Sequence, residues 1–137
     1  MGVVFRSESV AMTEEYGRRL AAELKGGTVL ALFGGMGMGK TALVRGIAAG
    51  LGLTAEVSSP TFALVHDYGG QPPLVHFDMY RVTGWEDLYS TGFFDYLDMG
   101  AIIVVEWSEN IVSALPDDAI RLHISRVDEN ARLFERE

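Results

Sequence analysis

One stretch limits what this chain can fold into more than any other: Gly34-Gly35-Met36-Gly37-Met38-Gly39-Lys40-Thr41. It satisfies G-x-x-x-x-G-K-[ST], and its flanks have the character this pattern requires. Val29 to Phe33, just before it, is a short apolar run of the kind that forms a buried parallel strand. Leu43, Ile47 and Leu51, just after it, recur at helical spacing, and Gly52 closes that helix. Glycines let the backbone curl so that successive N–H groups point inward at an anion. The following helix turns its positive end toward the same anion. Lys40 adds a point charge for phosphate oxygens, and the Thr41 hydroxyl is a ligand for Mg²⁺. The loop predicts binding of a nucleotide triphosphate with its magnesium ion. Gly37, Met38, Gly39, Lys40, Thr41 and Ala42 are the cradle residues.

The remaining segments predict an α/β fold in which a P-loop NTPase-like mixed β-sheet is flanked by helices, with antiparallel hairpins at its edge. Val3 to Phe5 reads as a short strand. Thr13 is the expected N-cap of a helix carrying Tyr16, Leu20, Ala21 and Leu24, with Glu14 and Glu15 at its positive end and Gly26-Gly27 as its stop. Thr61–Tyr68 and Leu74–Asp78 read as a hairpin around Gly69-Gly70-Gln71-Pro72-Pro73. Trp85–Ser90 and Phe93–Leu97 are short helical pieces, and Ala101–Val105 is another apolar strand. Asn110–Leu115 is expected to be helical up to Pro116. Ile120–Val127 and Arg132–Glu135 form a terminal hairpin around Asp128-Glu129-Asn130. The length, 137 residues, predicts a single P-loop domain over residues 1–137.

A phosphate loop needs carboxylates at neighbouring strand ends to complete the metal shell and to orient water. Asp78 closes Leu74-Val75-His76-Phe77-Asp78, and Glu106 closes Ala101-Ile102-Ile103-Val104-Val105-Glu106. A carboxylate after a buried strand is costly unless it is paired or metal-bound, so both are candidate metal ligands and catalytic groups. Turn capping is the alternative role for Asp78, and a solvated strand end that for Glu106. At period two, His76 and Asp78 share a strand face, which allows a hydrogen bond between them. Trp107 either covers the site or fills core. Trp85, Phe93, Phe94 and Tyr96 are expected to be packing residues.

Charge and composition narrow the partners. Hydrophobic residues make up 48% and charged residues 22%, the balance of a folded protein. The net charge is −8, and Lys25 and Lys40 are the only lysines, so tight binding of RNA or DNA by the chain alone is not expected. With no cysteine, disulfides and thiolate sites are excluded. The N-terminal stretch lacks the apolar region of a signal peptide, and Arg6 stands where a myristoylation signal has Ser or Thr. No apolar run approaches the ~20 residues that cross a bilayer, so a cytoplasmic protein is expected.

Beyond the loop, three further motifs follow in order: Ser59-Pro60-Thr61-Phe62, His76-Phe77-Asp78-Met79-Tyr80-Arg81 and Val105-Glu106-Trp107-Ser108-Glu109. Together with the loop they resemble the TsaE family, small ATPases of bacterial tRNA threonylcarbamoyladenosine synthesis, and the likeness runs from about Thr13 to Arg132. The resemblance implies ATP hydrolysis with Mg²⁺, weak alone and stimulated by partners. It also implies action on the TsaD and TsaB proteins, with tRNA reached only through them and no role for DNA or a membrane. Thr41 and Glu106 are then magnesium contacts, and Asp78 is Walker B-like. Thr61 belongs to a switch-like segment, Arg132 lies near the nucleotide, and Ser9 approaches the base. Met36 and Met38 depart from the usual Leu and Ala, Asp95 replaces a common glutamate, and the chain stops soon after Arg132.

Two other classes remain. A small-molecule or nucleotide kinase shares the loop, but needs arginines over the transferring phosphoryl group, and Arg81 is the only arginine between Asp78 and Ala119. A non-catalytic ATP-sensing adaptor would bind without turnover. No Asn-Lys-x-Asp element is present to read guanine.

Overall fold

In the computed structural model the described residues are 3–34, 39–53 and 65–137. Seven strands form one mixed sheet: β1 (Val3–Ser7), β2 (Val29–Phe33), β3 (Val65–Asp67), β4 (Leu74–Asp78), β5 (Ile102–Glu106), β6 (Ile120–Arg126) and β7 (Arg132–Arg136). Their order across the sheet is β1-β7-β6-β2-β5-β4-β3. β2 lies at the centre, parallel to β5 on one side and to β6 on the other, and β4 runs parallel to β5. The edges are antiparallel, with β3 on β4, and with β6, β7 and β1 as a meander. This is the expected mixed sheet with hairpins at both edges. Residues 61–64 of the first hairpin lie outside the described residues.

Both faces of the sheet are covered, so its central strands are apolar on both sides. Leu30 and Leu32 of β2 join Leu74, Ile102 and Val104 under helices α1 (Val10–Leu20) and α2 (Lys40–Gly50). Val29, Ala31 and Phe33 face the other way, with Val75, Phe77, Ile103 and Val105, onto α3 (Trp85–Ser90) and α4 (Phe93–Asp98). Ile111, from the 3-10 segment Ser108–Ala114, completes that layer. This segment differs from the helix expected at Asn110–Leu115. It starts earlier, and Ile111, at φ −132°, breaks its regularity to reach the core.

The first helix also starts elsewhere than expected. Ser9, not Thr13, is the N-cap: its backbone is extended and its hydroxyl accepts the Met12 N–H at 3.1 Å. Thr13 is buried with its hydroxyl 2.7 Å from that of Ser7, which ties the helix to the end of β1. Glu14 and Glu15 therefore sit beyond the first turn. Glu14 pairs with Arg45 on α2 at 2.6 Å, and Glu15 with Arg18. The offset is about one helical turn, so Tyr16 and Leu20 keep the inward face that the periodicity predicted.

α1 and α2 cross at closest approach through Gly17 and Gly46. A Cβ on Gly17 would stand 2.3 Å from the Leu43 carbonyl oxygen, and one on Gly46 would stand 2.0 Å from that of Glu14. The crossing fixes the start of α2, and with it Lys40, over the carboxyl end of β2.

Candidate phosphate and metal site

Parallel sheets gather their functional groups at the carboxyl ends of the strands, and three ends meet here. β2 runs into Gly34, β4 ends at Asp78 and β5 ends at Glu106. Asp78 and Glu106 are register partners, so their carboxylates leave adjacent strands at the same level. α2 begins beside them. Gly39, its N-cap, has φ +87°, a left-handed turn that glycine makes without strain, and puts Lys40 at the first helical position.

Lys40 is 4% exposed. Its ammonium donates to the Gly34 carbonyl oxygen at 2.6 Å and lies 5.1 Å from the centre of the Trp107 ring. Burial holds the Lys40 pKa below the ordinary lysine value, while Glu106, Glu109 and Asp78 pull in the opposite direction. The loop lysine is thus a desolvated cation facing three carboxylates.

Trp107 follows Glu106 in a left-handed backbone conformation, φ 60° and ψ 42°, which costs a non-glycine residue about 1–2 kcal/mol. The turn swings the indole back over Lys40 and against the Tyr80 ring, at 4.9 Å between centroids. One side of Trp107 also packs on the second core layer. Both roles considered for it from the sequence are filled at once.

Asp78 accepts the Tyr80 N–H at 3.0 Å through Oδ1, the turn-capping role, and still faces the site beside Glu106. The hydrogen bond that the sequence allows between His76 and Asp78 does not form. His76 instead places Nε2 2.7 Å from Glu106 Oε2, because the long glutamate side chain reaches diagonally across to β4 while the short Asp78 turns into its own loop.

Ser9, Gly39, Ala42 and Arg132 come together along a separate cavity of about 130 Å³, with Asn130, on the α1 side of the α2 N-terminus. Arg132 Nη1 donates to the carbonyl oxygens of Asp128, Glu129 and Ala131 across the β6–β7 turn. The structure therefore gathers Lys40, Asp78, Glu106 and Trp107 on one side of Gly39. Ser9, Ala42 and Arg132 lie on the other. Thr41, half-buried, follows Lys40 in the first turn of α2. Gly37, Met38 and Thr61 lie outside the described residues. A larger cavity of about 300 Å³, lined by Thr83, Trp85, Asn110 and Ser113 among others, contains none of these residues.

Two residues of the site had no role read from the sequence. Glu109 accepts the Gly34 N–H at 3.0 Å through Oε2 and so fixes the start of the loop. Asn110 donates to the carbonyl oxygens of Met79 and Tyr80 and holds the turn after Asp78. Glu109 stood inside a motif and carried a signal. Asn110 had none, because its partners are 31 and 30 residues away.

Among the described residues no group of three or more His, Asp or Glu stands together to hold a metal unaided. The donors at hand are all hard oxygens, the Thr41 hydroxyl and the Asp78 and Glu106 carboxylates, which suits Mg²⁺ shared with a phosphate and water. No helix among the described residues is long and apolar enough to cross a membrane.

Fold and site define an α/β protein of the P-loop NTPase-like class, with a carboxylate pair beside the loop lysine. The chain belongs to the TsaE family: the model of the threonylcarbamoyl adenosine biosynthesis protein TsaE matches residues 7–134. The chain is 45% identical over 115 residues to the tRNA threonylcarbamoyladenosine biosynthesis protein TsaE of Streptomyces coelicolor, covering 82% of this chain and 78% of that one. It is 34% identical over 129 residues to the Bacillus subtilis protein of the same name, covering 93% and 80% respectively. The crystal structure of Bacillus subtilis YdiB superposes with a TM-score of 0.82 at 30% identity, over 99% of this chain and 84% of that one.

Proposed function

We propose that this chain is a Mg²⁺-dependent ATPase that acts on a TsaD–TsaB complex to support threonylcarbamoyladenosine modification of tRNA. The observation that carries the reading is the buried Lys40 ammonium at the start of α2, facing two carboxylates in register on adjacent strand ends. ATP would supply a cleavable phosphoanhydride, and bound Mg²⁺ would neutralise charge developing on its phosphates. Lys40 exchanges the Gly34 carbonyl for phosphate oxygens. Thr41, Glu106 and Asp78 would hold the metal and orient water. Trp107 screens the ammonium from solvent, which strengthens its field at the phosphates. Ser9, Ala42 and Arg132 flank the nucleoside, and Thr61 belongs to the switch-like segment through which partners act. Residues 1–137 act as one ATPase domain in the cytoplasm.

The test is Mg·ATP hydrolysis by the pure protein, alone and then with TsaD, TsaB and tRNA, with Lys40→Ala as control. Low basal turnover that rises with partners and is lost in the control is the expected outcome. Partner-independent phosphoryl transfer to an added acceptor would favour a kinase, and tight ATP binding with no turnover in any mixture would favour an adaptor.

A further inference from the structure

His76 is fully buried, and nothing in the roles above uses it. It stands third in β4, opposite Val104 of β5, so Glu106 is its diagonal neighbour on the same face of the sheet. Leu74 and Val104 beside it belong to the apolar layer under α1 and α2. An imidazole there is out of keeping with its surroundings. Its Nε2 approaches Glu106 Oε2 to 2.7 Å without forming a hydrogen bond to it. Among the described residues, both ring nitrogens and Oε2 are left without a hydrogen bond. A leucine would pack this position at lower cost, so stability does not account for a histidine here.

We propose that His76 is a positioning residue for Glu106. The imidazole braces the carboxylate from behind through Oε2, which restricts side-chain rotation and aims the rest of the group at the mouth between β2 and β4, beside Asp78. Partners behind a ligating carboxylate commonly fix its orientation in this way. At 2.7 Å the two atoms are already within hydrogen-bond reach. This inference rests on Glu106 holding the metal of Mg·ATP.

Mn²⁺ affinity, read by electron paramagnetic resonance with a non-hydrolysable ATP analogue present, tests it in His76→Leu and His76→Gln. His76→Leu is expected to melt at or above the wild-type temperature without ligand. It should keep metal-free analogue affinity within about twofold and lose about tenfold in Mn²⁺ affinity. His76→Gln, whose amide nitrogen falls near the Nε2 position, should recover most of that loss, and His76→Asn, which falls near Nδ1, should not. If His76→Leu does not fold, the Gln and Asn variants decide alone, and equal Mn²⁺ affinities in those two overturn the proposal. Wild-type Mn²⁺ affinity in His76→Leu overturns it too and leaves the ATPase reading intact. A wild-type protein that binds no Mn²⁺ with the analogue removes the metal role of Glu106 and this proposal together.

Discussion

Lys40 pays for its place at the head of α2 in solvation. Its pKa lies below the ordinary lysine value because the ammonium is buried, so the fold holds that proton less tightly than the unfolded chain does. Between the folded value and the unfolded 10.5, the unfolded chain carries more protons, and stability gains with rising pH across that window. Below the window both states are protonated and the cost is borne in full. The unfolding free energy of the wild type minus that of Lys40→Met should therefore be lowest at neutral pH and climb toward pH 10.5. Denaturant titrations of both proteins from pH 7 to 10.5 would read this, and a flat difference would mean the ammonium is not desolvated. The residue scale also shows where sequence reading stops. Glu106 as a costly strand-end carboxylate was legible from its apolar run. That its carboxylate meets His76 while Asp78 turns to the Tyr80 N–H depended on strand register and side-chain reach, which no local pattern carries.

At the scale of elements, periodicity placed the helices correctly in face and less well in extent. The Thr13 cap expected for α1 gave way to Ser9, because Thr13 bonds Ser7 at the end of β1 and lies too deep to cap. Gly17 and Gly46 are the contact that lets α1 and α2 meet. Gly46→Ala should lose about 3 kcal/mol, since the added methyl overlaps a backbone carbonyl that cannot step aside. Gly84→Ala, at an extended position with open space around it, should change stability by less than about 1 kcal/mol. Urea denaturation of the two variants against wild type separates crowding at the crossing from a general cost of losing glycine. Equal losses in both would refute the close approach.

Over the whole molecule, charge and topology point the same way. A net charge of −8 sets the surface against a phosphate backbone, while the sheet concentrates a single buried lysine at one strand-end crevice. Under the proposed function the chain takes a small phosphate ligand and not an extended polyanion. In filter-binding or anisotropy assays at physiological salt, the purified chain should show no saturable affinity for tRNA, and tRNA should associate only when TsaD and TsaB are present. Saturable binding by the chain alone would contradict the proposal that partners present the tRNA.

The sequence by itself determined the class of this protein. A glycine loop between an apolar strand and a helix, two strand-end carboxylates and the order of the later motifs are local patterns, set by backbone freedom, spacing and the cost of burying charge. Only the tertiary structure decided the strand order, with β2 between β5 and β6, and the N-terminal β1 joined to the C-terminal β7. It also decided which side chains meet at the site: Glu109 on Gly34, Trp107 over Lys40 and His76 behind Glu106. These contacts join residues distant in sequence or turned by the backbone, and they arise from pairing and packing of both faces of one sheet, which no single segment encodes.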